Sequence, residues 1–168
     1  MKTISLRLPF KTKSLFFLLF LFLFSQTAFA VSDLPDPTMT PGAINPDVTQ
    51  EIIHQTICVK GYAKSIRPPA YYTNRLKKKM MRQYGYYRIS PKSFEFDHLI
   101  PLSVGGHPTS ELNLWPEPRF STWNAGKKDE LEAFFHRAVC KEKIPLDAAQ
   151  KEIATDWIAA YKKYISPE

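Results

Sequence analysis

The sequence lacks an apolar run long enough to cross a membrane. Its longest run, from Leu15 to Phe24, has ten residues, whereas a spanning helix needs about twenty. Four basic residues precede this run, and the small residues Ala28 and Ala30 follow it at the spacing of a cleavage site. The layout predicts a secretory signal peptide over residues 1–30 and a periplasmic or extracellular protein. An uncleaved membrane anchor is the alternative.

Cysteine is also scarce. The 168 residues include two cysteines, Cys58 and Cys140, and no CxxC pair, so the sequence gives no support for a thiolate zinc site. An even number of cysteines in an exported chain favours a disulfide. The bridge would close a long loop and could stabilise the fold by about 4 kcal/mol in the chain-entropy model.

Acidic residues are missing from the stretch between Glu51 and Glu95, which carries ten basic residues. Residues 1–30 hold four of the 23 basic residues and none of the 16 acidic ones, so the rest of the chain has 19 against 16, a net charge of +3. The distribution, more than the total, predicts a surface that attracts polyanions. A solvated helix face is the alternative. The candidates for contact with nucleic acid in this stretch are Lys77, Lys78, Lys79 and Arg82.

The pattern after residue 30 predicts an extended leader over 31–45 and a single α+β domain over 46–168. The leader is rich in Pro, Asp and Thr. A short helix is predicted from Pro46 to about His54, and a second from Thr73 to Tyr84, ended by Gly85.

A hairpin and two helices are predicted in the second half of the chain. Phe94 to Leu102 is typical of a strand that enters a Gly105-Gly106 turn, and residues 112–115 suit the return strand. The composition then favours a helix over 124–140 and a last helix from 146 or 147 to 164.

Polar residues recur at the hairpin and at the start of the helix after it. Asp97 and His98 are adjacent, Asn113 follows fifteen residues later, and Asn124 eleven after that. In a regular strand Asp97 and His98 would point to opposite faces, so both can serve one site only if the backbone twists or bulges. A hairpin folded over the first turn of the helix would bring all four residues near one point, where a hydrolytic phosphate site can be assembled.

These residues resemble the motif of the HNH endonucleases, which have a ββα-metal fold. The resemblance is carried by Asp97-His98, Pro101, Gly105-Gly106, Asn113-Leu114 and Asn124-x-x-Lys127, within about residues 94–135. A wider resemblance, which includes "TICVKGY", "DHLIPLSVGGHPTSELNLWPEP" and "AQKEIATDWIAAY", is to a group of small exported bacterial proteins associated with HNH-type nucleases. The fold it implies is a ββα-metal hairpin-plus-helix core flanked by additional helices.

The resemblance implies a role for each motif residue. His98 would be the general base, because a neutral imidazole can accept a proton from the attacking water. Asp97 and Asn124 would be ligands of one divalent metal ion, and an amide ligand suits Mg²⁺ or Mn²⁺ better than Zn²⁺. Asn113 would hold the hairpin and so orient His98.

Several of these assignments have alternatives. Asn124 can be a plain helix N-cap, in which case His107 or Asp129 could be recruited as a ligand. Lys127 and Lys128 are candidate phosphate contacts one turn into the helix, and ordinary surface lysines otherwise.

The sequence therefore predicts an exported, metal-dependent endonuclease that hydrolyses nucleic-acid phosphodiester bonds, with double-stranded DNA as the expected substrate. One alternative is a non-catalytic nucleic-acid-binding module of the periplasm or cell surface. Another is a structural envelope protein in which Asp97, His98 and Asn113 form a buried polar network.

Overall fold

The structure, a computed structural model, describes residues 31–167, and the α+β prediction is confirmed. The described range contains a two-stranded antiparallel sheet and helices on both sides of it. The helices are α1 (Tyr62–Ser65), α2 (Ala70–Gln83), α3 (Ala125–Cys140) and α4 (Leu146–Tyr164), and the strands are β1 (Phe94–His98) and β2 (Leu114–Pro118). Short 3-10 helices cover Gln50–Gln55, Pro91–Ser93, Leu102–Val104 and Glu111–Asn113.

The hairpin is shorter than predicted on its first strand. β1 pairs with β2 in a regular register from Phe94 opposite Pro118 to His98 opposite Leu114. The strand ends there because the chain turns: the backbone N–H of Ile100 donates to the side chain of Asn113 at 2.9 Å, and Pro101 has no N–H to continue a ladder. The predicted extension of the strand to Leu102 is therefore wrong.

The two faces of the hairpin pack against different helices. Because side chains alternate along a strand, Phe94 and Phe96 share one face, and they pack against the buried face of α2. Trp115, on the other face, belongs to the main core with residues of α3 and α4 such as Leu131 and Trp157. The hairpin thus lies between the basic helix α2 and the C-terminal helix pair.

The predictions for the three long helices are confirmed. α2 begins three residues earlier than expected, directly after Pro69, and Gly85 follows its end with a φ of 78°. α3 begins after Asn124, and α4 begins at Leu146. The backbone of Asp156 within α4 is not helical, and its carboxylate Oδ1 accepts hydrogen bonds from the N–H groups of residues 158 and 159.

The helix predicted from Pro46 to His54 is wrong. Asn45 Oδ1 accepts a hydrogen bond from the N–H of Asp47 at 3.0 Å, which makes a local turn in place of a helix start. A 3-10 helix begins later, at Gln50, and Ile52 inside it leaves the helical region. β-branched side chains such as Ile52 and Ile53 are stiff and do not favour a short helix.

Residues 31–45 lie against the fold and include a turn in which the N–H groups of Met39 and Thr40 donate to the carbonyl of Asp36. Ile44 forms a β-bridge with Gly106, and the N–H of Asn45 donates to the carbonyl of Gly105 at 2.8 Å. Nearer the start, the indole Nε1 of Trp157 donates to the carbonyl of Asp33 at 3.2 Å. The segment is thus hydrogen-bonded to the hairpin loop and to α4.

The disulfide prediction is confirmed: Cys58 and Cys140 are bonded, with their Cα atoms 5.6 Å apart. The bridge ties the turn after the first 3-10 helix to the end of α3 and is compatible with an exported protein. The predicted signal peptide lies outside the described residues. Among residues 31–167, none of the helices has the length and apolar character needed to cross a membrane.

Candidate functional site

Asp97 and His98 lie at the end of β1, and their side chains make contacts on different sides of the hairpin. Their pairing with Trp115 and Leu114 follows the regular register, with no bulge. The carboxylate of Asp97 meets Lys128 of α3, whereas the imidazole of His98 meets the hairpin loop at Pro108. The structure therefore does not bring the two side chains together in the way that a shared site would require.

The imidazole of His98 is buried and held in one orientation. The residue is 4% exposed, and Nε2 lies 2.9 Å from the carbonyl oxygen of Pro108. Since a carbonyl only accepts, Nε2 carries the proton and Nδ1 keeps its lone pair. Burial lowers the pKa of His98 and outweighs the opposing effect of the Asp97 carboxylate. The ring is accordingly a neutral proton acceptor at pH 7.

Asn113 fastens the loop that carries Pro108. Its amide is fully buried; Oδ1 accepts from the N–H of Ile100 at 2.9 Å, and Nδ2 donates to the carbonyls of Ile100 and His107 at 2.9 and 3.1 Å. Because Pro108 follows His107 directly, these bonds fix the acceptor of the His98 imidazole. Asn113 is thus placed to orient His98 through the backbone.

Lys128 is at the centre of a buried charge cluster. The residue is 1% exposed, and Nζ donates to Asp97 Oδ2 at 2.8 Å, to the carbonyl of His98 at 2.8 Å and to Glu132 Oε1 at 2.5 Å. The expectation that Lys128 contacts phosphate from the surface is therefore wrong. An ammonium needs about three hydrogen-bond acceptors when it leaves water, and the hairpin and α3 supply them.

The charges of this cluster shift the pKa values of its members. Burial acts to raise the pKa of Asp97, but the ammonium of Lys128 outweighs it and the net pKa is lowered. Burial acts to lower the pKa of Lys128, but the carboxylates of Asp97, Glu132 and Glu117 hold it well above its usual value. Lys128 and Asp97 are thus a permanent ion pair at neutral pH.

Glu117 and Glu132 complete the cluster and were not predicted from the sequence. Burial raises the pKa of Glu132 to about 7 and that of Glu117 well above its usual value. Glu117 is 1% exposed, and its Oε1 has no hydrogen-bond partner among the described residues. The four-residue spacing of Lys128 and Glu132 on α3 is a signal that could have indicated their pairing.

Asn124 is the N-cap of α3. Its Oδ1 accepts from the N–H of Lys127 at 3.3 Å, and its Nδ2 donates to the carbonyl of Ser121 at 3.1 Å. Within residues 31–167 no hydrogen bond joins Asn124 to Asp97 or His98. Asn124 thus has the role of a helix N-cap, which the sequence allowed as the alternative to a metal ligand.

The residues proposed for a divalent metal do not fit that role as they are arranged. Oδ2 of Asp97 is engaged by Lys128 and Oδ1 of Asn124 by the backbone. His107 Nδ1 accepts from the N–H groups of residues 109 and 110, which leaves it unsuited as a replacement ligand. In the part of the chain that the structure describes, no group of three or more His, Cys, Asp or Glu side chains could hold a metal ion.

The other basic candidates lie in different surroundings. Lys77 Nζ donates to the carbonyls of Pro91 and Phe94 at 2.6 and 2.8 Å, and Lys79 Nζ pairs with Glu111 at 2.6 Å. Lys78 and Arg82 are in no ion pair formed among residues 31–167. Lys127 Nζ lies 4.4 Å from the ring centroid of Trp123, a cation–π contact.

In comparisons with known proteins, no family model, no curated protein and no solved structure matches the chain.

Proposed function

We propose that the protein is an exported endonuclease that hydrolyses nucleic-acid phosphodiester bonds, with His98 as the general base. The observation that carries this proposal is the state of His98: a neutral imidazole, fixed through Nε2, with Nδ1 kept as a proton acceptor. The strand–strand–helix order around it agrees with the resemblance to the HNH endonucleases, and the lysines of α2 lie on the same side of the hairpin as His98.

The chemistry proposed for His98 is the activation of water. As the water oxygen bonds to phosphorus, one water proton moves to Nδ1, and the 3′ oxygen leaves with the electrons of the broken P–O bond. The Pro108 carbonyl stabilises the resulting imidazolium through Nε2–H, because a hydrogen bond to the charged form favours it. A positioned base of this kind contributes about 10²–10⁴-fold to a rate.

The resemblance to the HNH endonucleases implies dependence on Mg²⁺ or Mn²⁺, and the proposal includes a metal ion on that ground alone. Because Asp97 and Asn124 are engaged by Lys128 and by the backbone, we assign no step to a metal ion. The second candidate, a binding module without chemistry, is favoured by that same engagement of Asp97 by Lys128.

A plasmid-nicking assay tests the proposal. The purified protein should convert supercoiled plasmid to the nicked form, and His98→Ala should lower the rate at least about 100-fold. The matched control is His54→Ala, since His54 is an exposed histidine paired with Glu142 and should leave the rate unchanged. Parallel reactions with Mg²⁺, Mn²⁺ or EDTA test metal dependence separately.

Equal cleavage by the wild type and the His98→Ala variant would reject the proposed function. Salt-sensitive DNA binding in EDTA, without cleavage under any condition, would favour the binding module. Failure to bind DNA even at low salt would leave the structural envelope protein as the remaining interpretation.

A further inference from the structure

A basic groove lies at the open end of the hairpin, at the opposite end of β1 from His98. Its volume is about 640 Å³, and its walls come from α2, from the 3-10 helix Pro91–Ser93 and from the chain just after β2. Phe94 lines the groove and is four residues from His98, which corresponds to about 13 Å along a strand.

Four of the eight residues that line the groove are cationic: Lys77, Lys78, Lys92 and Arg119. Glu95 is the acidic partner of Arg119, at 3.0 Å, and Lys78 and Lys92 are in no ion pair formed within residues 31–167. One carboxylate against four cations leaves a local excess of positive charge, which attracts a polyanion.

Two of these cations are held in place by the backbone. Lys77 Nζ donates to two carbonyls, those of Pro91 and Phe94, and an ammonium has a third N–H for a ligand. Arg119 Nε donates to the same Phe94 carbonyl at 3.1 Å. Burial lowers the pKa of Lys77, and the positive charge of Arg119 contributes in the same direction.

Phe120 stands at the edge of this groove with its ring in water. It lines the groove and is 83% exposed, the most exposed large apolar side chain of the described residues. A phenyl ring has no polar atom to solvate, so its free face beside phosphate-attracting lysines suits a partner that has both a phosphate and a flat apolar ring.

We propose that this groove binds a single-stranded segment of nucleic acid, with phosphates on Lys78 and Lys92 and an unpaired base stacked on Phe120. In a duplex the faces of each base are covered by its neighbours, so Phe120 can stack only on a base that has left the helix. The role of the groove in presenting a strand to His98 rests on the proposed function, whereas the binding itself does not.

Binding is measured in the His98→Ala variant in EDTA, so that no cleavage intervenes. Fluorescence anisotropy compares a short labelled single strand with a blunt-ended duplex of the same length. Phe120→Ala should weaken single-strand binding by about 10-fold, the scale of one stacked base, and leave duplex binding within about twofold. Phe120→Trp should preserve binding, and Phe120→Leu, which keeps apolar bulk but no aromatic face, should behave as Phe120→Ala does.

The lysines are tested by salt dependence. Lys78→Ala and Lys92→Ala should each weaken binding and reduce the slope of log K against log salt by about one. Lys151→Ala, an exposed lysine of α4, is the matched control and should change neither quantity.

The inference would be overturned if Phe120→Ala left single-strand binding unchanged or weakened duplex binding equally. It would also be overturned by tighter binding to phosphatidylserine vesicles than to the oligonucleotide, since Phe120 and the lysines would then mark a membrane-binding surface. Cleavage that depends on His98 together with an inert Phe120 would reject the groove and keep the proposed function. Single-strand binding that depends on Phe120, without any cleavage, would keep the groove and reject the proposed function.

Discussion

Among single side chains, Lys128 makes three hydrogen bonds inside the protein although the burial of an ammonium is costly. It joins Asp97 of the hairpin to Glu132 of its own helix. A buried ion pair is weak evidence for net stability, but removal of one partner leaves an uncompensated charge. Substitution of Lys128 should therefore lower the free energy of unfolding more than substitution of any other residue of the cluster.

Lys128→Met should lower the free energy of unfolding by about 3–5 kcal/mol, because Asp97 and Glu132 would stay buried without a counter-charge. Urea denaturation followed by circular dichroism measures this. Lys127→Met is the control one residue earlier, where only cation–π contacts with Trp123 and Tyr161, of about 0.5–1 kcal/mol each, are lost. A similar decrease in the free energy of unfolding in the two variants would mean that Lys128 does not hold the cluster together.

His98 sets a pH dependence whose sign follows from its burial. Burial lowers its pKa from 6.5, so the proton-accepting form persists below that pH. If His98 is the base, the acid limb of the pH–rate profile should lie below pH 6.5 and not at it. A limb above pH 6.5 would contradict the neutral, buried imidazole described above.

The same shift affects stability in a defined direction. In the unfolded chain His98 binds a proton below about pH 6.5, which the folded state resists. The contribution of His98 to stability is therefore fully present above pH 6.5 and is lost as the pH falls toward the lowered pKa. Urea midpoints of the wild type and His98→Ala across this range should converge as the solution becomes more acidic.

Among the structural elements, the hairpin loop depends on close backbone packing at Gly106. A Cβ added there would lie 1.8 Å from the carbonyl oxygen of Ile100 and 2.8 Å from Nδ2 of Asn113. That space is needed for the bonds that hold Ile100, Asn113 and hence the acceptor of His98.

Gly106→Ala should therefore destabilise the protein by more than about 2 kcal/mol, because backbone must move. Gly61→Ala is the control: Gly61, unlike Gly106, has a positive φ, 91°, and a Cβ there would meet nothing within 4 Å, so the cost is conformational strain of about 1–2 kcal/mol. Thermal unfolding of both variants makes the comparison. An equal decrease in melting temperature in the two variants would show that the loop at Gly106 relaxes around the added methyl group.

The elements that the sequence predicted well are those whose pattern is local. The three long helices follow from apolar spacing, from Asn124 as a cap and from Gly85 as a stop. The hairpin order and the buried polar residues His98 and Asn113 were also predictable, since both lie within one short stretch.

What could not be predicted depends on packing between elements. The burial of Lys128 requires that α3 lie on the Asp97 face of the hairpin. The spacing of residues along the sequence does not predict this tertiary arrangement. Glu117 lies within Pro-Glu-Pro, a pattern that does not indicate burial, although its strand brings it into the same interface. The sequence does not decide between a metal ligand and a helix cap at Asn124, because an amide suits either role.

At the scale of the whole molecule, the disulfide connects regions far apart in the sequence. Cys58 and Cys140 are 82 residues apart, and the bridge fastens α3 to the turn before α1.

Reduction should lower the free energy of unfolding by about 4 kcal/mol, as expected for a loop of this length. Urea unfolding with and without reductant measures the loss. The Cys58→Ser/Cys140→Ser double variant should match the reduced protein and be indifferent to reductant. A reductant effect that persists in the double variant would assign the change to something other than this bridge.

The hydrogen bond between Asp33 and Trp157 joins positions 124 residues apart, and it has a consequence for the order of folding. During synthesis from the N-terminus, Asp33 emerges 124 residues before its partner on α4. This contact can therefore close only after α4 has been made, because long-range contacts form only after their loops can close. Truncated chains that end before α4 would leave the segment 31–45 without its hydrogen bond to Trp157.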